Sequence, residues 1–226
     1  DFVGHLLYAN NARSVTVLIK KGSDVIFDGY VEAGTFNQEY SNPYDSFTIN
    51  CVDKLSTLKY YKYKDITVDN FDNVVTGLGN VTMHDAINLA FADIIGNGHI
   101  YYDMSKGLSS TRENLVFDDI RVSEQIFVGD DYDSVMDNEQ MITELLRYLN
   151  LHIIQIGSDF YIYDWDSIKK QNTQWVNLID NEIHNTNPTK VVLNADTNAS
   201  DGTNVSIDDV YNQVSVTCEL NDQKTL

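Results

Sequence analysis

Hydrophobic and polar positions alternate most clearly between Ser14 and Tyr63. Val15, Val17 and Ile19 interleave with Thr16 and Leu18, Lys20-Lys21-Gly22-Ser23 supplies turn chemistry, and Asp24–Val31 reads as a returning strand, so the pattern predicts a hairpin. Beyond Asn42-Pro43, alternation resumes over Ser46–Val52 and places Phe47, Ile49 and Cys51 on one face. Asp53 then stands as an N-cap before Leu55 and Leu58, three apart on a short helix. Phe2–Ala9 is apolar enough for one more strand of the same unit.

Farther on the period lengthens. Thr82 caps a helix, with Asp85 approximating a capping box, and Ile87, Ala90, Phe91 and Ile94 form its apolar stripe up to Gly96-Asn97-Gly98. Ile100–Lys106 fits either period. Leu115–Phe127 has strand composition broken at Asp118-Asp119, with Ile120, Val122, Ile126 and Val128 as its apolar side chains. After the acidic loop Gly129–Asn138, a second helix is capped by Asp137 or Asn138 and buries Met141, Ile142, Leu145, Leu146 and Leu149. It runs into Leu151–Ile156, a three-residue loop Gly157-Ser158-Asp159, and Phe160–Asp164, an αββ unit. Gln171–Lys190 is a connector, Lys190–Asn194 a further strand, Asp196–Asn204 a run of turn formers, and Asp208–Cys218 alternates with Val214, Val216 and Cys218 inward.

Two stretches carry a resemblance. Phe27-Asp28-Gly29-Tyr30-Val31, followed by a polar loop and Val52-Asp53-Lys54-Leu55-Ser56-Thr57-Leu58, resembles the first barrel of phage tail and baseplate hub proteins. The Asn150-Leu151…Gly157…Tyr161-Ile162 hairpin and the closing Tyr211-Asn212-Gln213-Val214-Ser215-Val216 are also similar to features of that family. The resemblance implies an α+β chain. Its parts are a first β-barrel over 1–64, an inserted α/β domain over 65–185 with two helices and a β-hairpin, and the beginning of a second, related β-barrel over 186–226. The expected second barrel lacks several strands. Because the chain opens on Asp1 rather than Met, it reads as a fragment of a longer polypeptide.

The resemblance further implies a virion structural protein of the tail tip, made in the bacterial host cytoplasm and joining the tail tube to a spike or fibre. In the full-length protein, three copies form a ring. No enzyme activity and no cofactor are implied. Two rival readings are kept: a cell-wall hydrolase accessory domain, and a bacterial carbohydrate-binding surface module.

Composition narrows this little. The 14 Tyr and 9 Phe favour strands, and 2 Pro with 12 Gly rule out a low-complexity chain. A net charge of −19 argues against specific nucleic-acid binding, which needs a basic footprint; in a tail channel it lets DNA slide past. No run of about 18 apolar residues is present to span a membrane. Cys51 and Cys218 each fall on the apolar face of a strand and are expected to be small buried hydrophobes.

Candidate chemistry is sparse, and no catalytic, cofactor or metal residue is assigned. His5, His84, His99, His152 and His184 are far apart, and no pair has ligand spacing. No nucleophile elbow, phosphate loop or metalloprotease helix occurs. Asp164-Trp165-Asp166 is the best local pair of acids for glycoside cleavage, but it closes a hairpin and is expected to face water. Asp130-Asp131-Tyr132-Asp133 with Asp137 and Glu139 offers oxygen ligands but lacks the glycine and bidentate acid of a calcium loop. In Asp196-Thr197-Asn198-Ala199-Ser200-Asp201-Gly202 the glycine falls one place late. Tyr60-Tyr61-Lys62-Tyr63 is either a sugar-stacking platform or, on the ordinary reading, packing beneath the sheet.

Overall fold

The alternation over Thr16–Val31 becomes strands β1 (Thr16–Lys21) and β2 (Asp24–Val31), joined by a tight turn at Gly22-Ser23. Gly22 sits at φ 66°, a left-handed conformation that glycine adopts without a Cβ penalty. In this computed structural model, residues 11–32, 49–63, 78–103, 117, 120–128, 135–170, 173–180 and 182–185 are described. The chain divides into a unit Asp1–Thr189 and a second, Lys190–Leu226, and every described residue belongs to the first. The readings for Phe2–Ala9, Phe47, Cys218, the strands beyond Lys190 and the loop at Asp196 therefore lie outside the described residues, as does most of the acidic loop after Gly129.

The remaining strands are β3 (Cys51–Asp53), β4 (Asn80–Thr82), β5 (Ile100–Asp103), β6 (Arg121–Ser123), β7 (His152–Ile156), β8 (Asp159–Tyr163), β9 (Gln174–Asn177) and β10 (Ile183–Asn185). The α-helices with described bounds are α1 (Met83–Phe91), α2 (Asn138–Tyr148) and α3 (Trp165–Lys170). Short 3₁₀ helices cover Leu55–Tyr60 and Glu124–Ile126. The fold is thus mixed α and β, in a three-stranded sheet β1-β2-β3, a five-stranded sheet β10-β9-β5-β8-β7 and a pair β4-β6. Among the described residues no sheet closes into a barrel.

Local signals set the helix starts. The Thr82 hydroxyl accepts from Asp85 N at 3.0 Å, and Asp137 accepts from Gln140 N at 2.8 Å while Gln140 Oε1 reaches back to Asp137 N, a complete capping box. Asp53 Oδ1 accepts from Ser56 N at 2.8 Å and so organises the first 3₁₀ turn. Ile87, Ala90, Phe91 and Ile94 are buried, as are Met141, Ile142, Leu145 and Leu146.

Both helical stripes bury against one face of the five-stranded sheet, where Ile100, Tyr102, Phe160, Ile162, Val176 and Leu178 point inward. Phe91 meets Phe160 edge-on with ring centroids 4.8 Å apart. Strand β5, ambiguous by periodicity, is the central strand and is buried on both sides from Ile100 to Asp103. It pairs parallel with β8, and the connection between them passes through β6 and α2, as a parallel pairing requires.

Several expectations change. Gln171–Lys190, expected as a connector, contributes β9 and β10 to the five-stranded sheet, because Trp175 and Val176 bury against β5, and Phe117, expected in a strand, is helical. The β7–β8 loop has two residues, Gly157-Ser158, because Ile156 pairs directly with Asp159 and Gly157 takes φ 61°. Cys51 is exposed, because the pleat of the short strand β3 turns its thiol outward, and it is a free thiol. Ile126 is half-exposed, since the chain leaves β6 into a 3₁₀ turn and strand alternation no longer applies. Asp164 is buried, as described below.

The first sheet docks on the β7–β8 hairpin. Phe27 bridges to Gly157, Ser158 Oγ donates to Asp28 Oδ2 at 2.8 Å, and Lys54 N donates to Gln155 Oε1 at 2.9 Å. Lys54 Nζ meets Asp28 Oδ2 at 2.7 Å with both side chains largely shielded from water. These contacts join residues assigned by sequence to the first barrel and to the insert.

Candidate functional site

Strand alternation gives the five-stranded sheet a second face, away from α1 and α2. Tyr101, Tyr161 and Trp175 form its own apolar cluster, flanked by Ile156 and Tyr163. Register explains the grouping: Tyr101 lies opposite Tyr161, His184 opposite Trp175, Ile154 opposite Tyr161 and His152 opposite Tyr163. The rings stack across strands. Tyr101 and Tyr161 centroids are 5.3 Å apart, and Trp175 meets Tyr161 edge-on at 5.3 Å.

At one end of this face Trp165, the first residue of α3, is 63% exposed and packs on His152 at 5.3 Å and Tyr163 at 6.1 Å. Ile154, Ile156, Tyr161, Tyr163, Trp165 and Ile168 line a groove of about 180 Å³ there, with Trp175 as a further wall. Apart from tyrosine hydroxyls its walls are aliphatic and aromatic. Such a surface suits an apolar side chain or the flat face of a ring.

Asp164 closes β8 and caps α3, its Oδ1 accepting from Ser167 N at 2.7 Å and from Ser167 Oγ at 2.7 Å. Ser167 Oγ also contacts Asp103 Oδ2, and all three residues are buried. The Ser167 hydroxyl thus stands between the Asp103 and Asp164 carboxylates, while the side chain of Asp166, the other acid of the sequence pair, lies outside what is described. The acid proposed from sequence to face water is instead turned inward, because the first backbone N–H groups of α3 need an acceptor.

At the other end stand His99, Tyr101 and His184. His99 Nδ1 lies 3.2 Å from Asp159 Oδ1, and the His99 and His184 rings are 6.4 Å apart. Ligand atoms of Asp180, Glu182 and His184 all lie within 4.8 Å of one another. The sequence reading missed this group because it looked for spacing between histidines. The available signal was the close spacing Asp180-x-Glu182-x-His184, which the turn after β9 and the start of β10 fold together.

The other described histidines make packing or backbone contacts. His84 Nε2 is 2.6 Å from Leu178 O and ties α1 to the turn after β9; His152 is half-buried under Trp165. His5 lies outside the described residues. In the Tyr60–Tyr63 cluster, Tyr63 is buried and donates to Glu124 Oε1, Tyr61 lies under the Arg13 guanidinium at 3.6 Å, and Tyr60 is exposed. Alternate members thus pack inward.

Burial pushes the Tyr101 phenol up to about 12, with the charges of Asp159, Tyr161 and Asp180 adding to the effect. The folded state therefore keeps a proton that the unfolded state, at the ordinary 10.0, gives up first. Stability contributed by the neutral phenol is full below pH 10.0 and declines as pH rises towards about 12. Urea unfolding followed across that window is expected to show this decline, with a shallower slope in Tyr101→Phe; an unchanged slope contradicts the assignment. Burial and Glu124 push Tyr63 upward as well, so part of the slope persists in that variant.

Compared with known proteins, the chain matches no family model, no curated protein and no solved structure. Among the described residues no helix is long and apolar enough to cross a membrane.

Proposed function

We propose that this chain is a structural component of a phage or prophage tail tip, hub-like, joining the tail tube to a spike or fibre as part of a homotrimer. The observation that carries the reading is the pairing of the two stretches that resemble the hub family. Phe27–Val31 and Val52–Leu58 are separated by a long polar loop in sequence, yet Gly29, Tyr30 and Val31 lie opposite Asp53, Val52 and Cys51. The motif residues Asp28 and Lys54 form the shielded ion pair described above, and Asp53 starts the 3₁₀ turn. The two stretches thus make one sheet corner, as parts of a single structural motif are expected to.

In this reading the complete subunit carries the barrel that the hub resemblance implies. The work of the protein is interface burial between subunits, and the acidic surface keeps DNA from adhering to the channel. Electron microscopy of phage particles carrying the full parent chain, labelled with antibody to it, tests the proposal. Label at the tail tip and a trimer by native mass spectrometry are expected. Particles without label, with the chain found on the bacterial envelope, overturn it.

One observation favours a second reading, the carbohydrate-binding surface module. Trp165 stands exposed beside a groove lined by Tyr161 and Tyr163, an arrangement on which a sugar ring can stack. A glycan array probed with the wild-type chain and with Trp165→Ala separates the two, since only the second reading expects binding that the substitution removes.

A further inference from the structure

We propose that Asp180, Glu182 and His184 form a binding site for a divalent transition-metal ion of the zinc class at the β9–β10 end of the five-stranded sheet. The inference is independent of the tail-tip reading. It starts from one atom: His184 Nε2 has no hydrogen-bond partner and is itself shielded, although the His184 side chain as a whole is 34% exposed. The nearest carboxylate oxygen, Asp180 Oδ2, is 4.0 Å away, beyond hydrogen-bond distance. A buried imidazole nitrogen left unpaired is costly, and structures retain such groups where something else engages them. A lone pair on nitrogen beside two carboxylates is the ligand chemistry of zinc.

The donor set selects the ion. One imidazole nitrogen with two carboxylate oxygens suits borderline ions such as Zn²⁺, whereas Ca²⁺ takes oxygen ligands throughout. The ligand atoms lie within 4.8 Å of one another, so small side-chain movements bring them onto one ion.

The surroundings hold the ligands in place. Asp180 Oδ2 accepts from Asn177 Nδ2 at 2.8 Å and Oδ1 accepts from Glu182 N at 2.8 Å, while Asn177 N donates to Glu182 O at 2.9 Å. Asn177 is itself buried. Outer contacts of this kind orient metal ligands. His99, beside His184 and held through Nδ1 by Asp159, repeats the carboxylate–imidazole pairing of metal-bound histidines and is the neighbouring candidate for a fourth ligand. The net charge of −19 further favours a bound cation.

The test uses the full chain, stripped with chelator and titrated with Zn²⁺ alone by calorimetry, then with Co²⁺ by visible absorption. One ion per chain is expected, with Co²⁺ bands of a low-coordinate nitrogen–oxygen site. His184→Gln and Glu182→Gln are each expected to weaken Zn²⁺ binding at least about tenfold. His152→Gln is expected to bind as the unaltered chain does. Glu182 is exposed, so its variant keeps the fold, which circular dichroism checks. Absence of stoichiometric Zn²⁺ binding, or binding unchanged in both site variants, overturns the proposal.

Discussion

Replacing Lys54 with methionine is expected to cost about 3–5 kcal/mol of folding stability, the loss typical when one partner of a buried ion pair is removed. Lys54 Nζ lies 2.7 Å from Asp28 Oδ2, and the two side chains are 7% and 15% exposed. Without the ammonium, the Asp28 carboxylate keeps Ser158 Oγ as a donor but has no counter-charge. The damage does not stay in one sheet. Lys54 N is bound to Gln155 Oε1, and Gln155 Nε2 donates to Gly157 O at 2.8 Å and to Asp28 O, so one network stitches β2 and β3 to the β7–β8 turn.

Chemical denaturation of Lys54→Met, Asp28→Asn and the double variant measures the coupling. Asparagine keeps an oxygen for Ser158 while removing the charge, so the double variant is expected to recover most of what Lys54→Met loses. A loss below about 1 kcal/mol in Lys54→Met, the range of exposed pairs, shows that the pair is not shielded in solution.

The second large effect is expected at Gly29, opposite Asp53 on β3. A Cβ there falls inside contact distance of Val52 O, a backbone atom, and 2.7 Å from Phe27 Cζ. The phenyl ring can swing aside, but the carbonyl can move only if β2 and β3 separate. Gly29→Ala is therefore expected to cost about 1–3 kcal/mol, and Gly29→Val more.

Two other glycines calibrate the measurement. Gly22 has open space around its Cβ position but φ +66°, so alanine there pays only the left-handed penalty of about 1–2 kcal/mol. Gly79→Ala meets nothing closer than Glu124 Oε2 at 3.8 Å and is expected to stay within about 0.5 kcal/mol of the unaltered chain. Thermal melts of the three alanine variants check the order. A Gly29→Ala variant as stable as Gly79→Ala contradicts the β2–β3 packing described here.

Much of the local architecture was legible in the chain because its causes are local. The β1–β2 hairpin follows from alternation on either side of a glycine that accepts φ 66°, and α1 and α2 begin at Thr82 and Asp137 because those side chains reach amides three residues on. Apolar spacing likewise marked Phe91 and Leu145 as core. Each of these outcomes is decided within a turn or two of the backbone.

What the tertiary structure alone decided depends on partners distant in the chain. Ile100–Asp103 is a strand because β8 and β9 flank it, and nothing in its own period says so. Cys51 faces outward, and Asp164 inward, according to how short elements are set against neighbours. The site with the most chemistry follows the same rule. His99 meets Asp159 across 60 residues of sequence, and it comes beside His184 through the pairing of β5, β9 and β10. Periodicity assigns a side chain to a face; only strand order and register determine which faces meet, because those come from hydrogen bonds between segments that the sequence keeps apart.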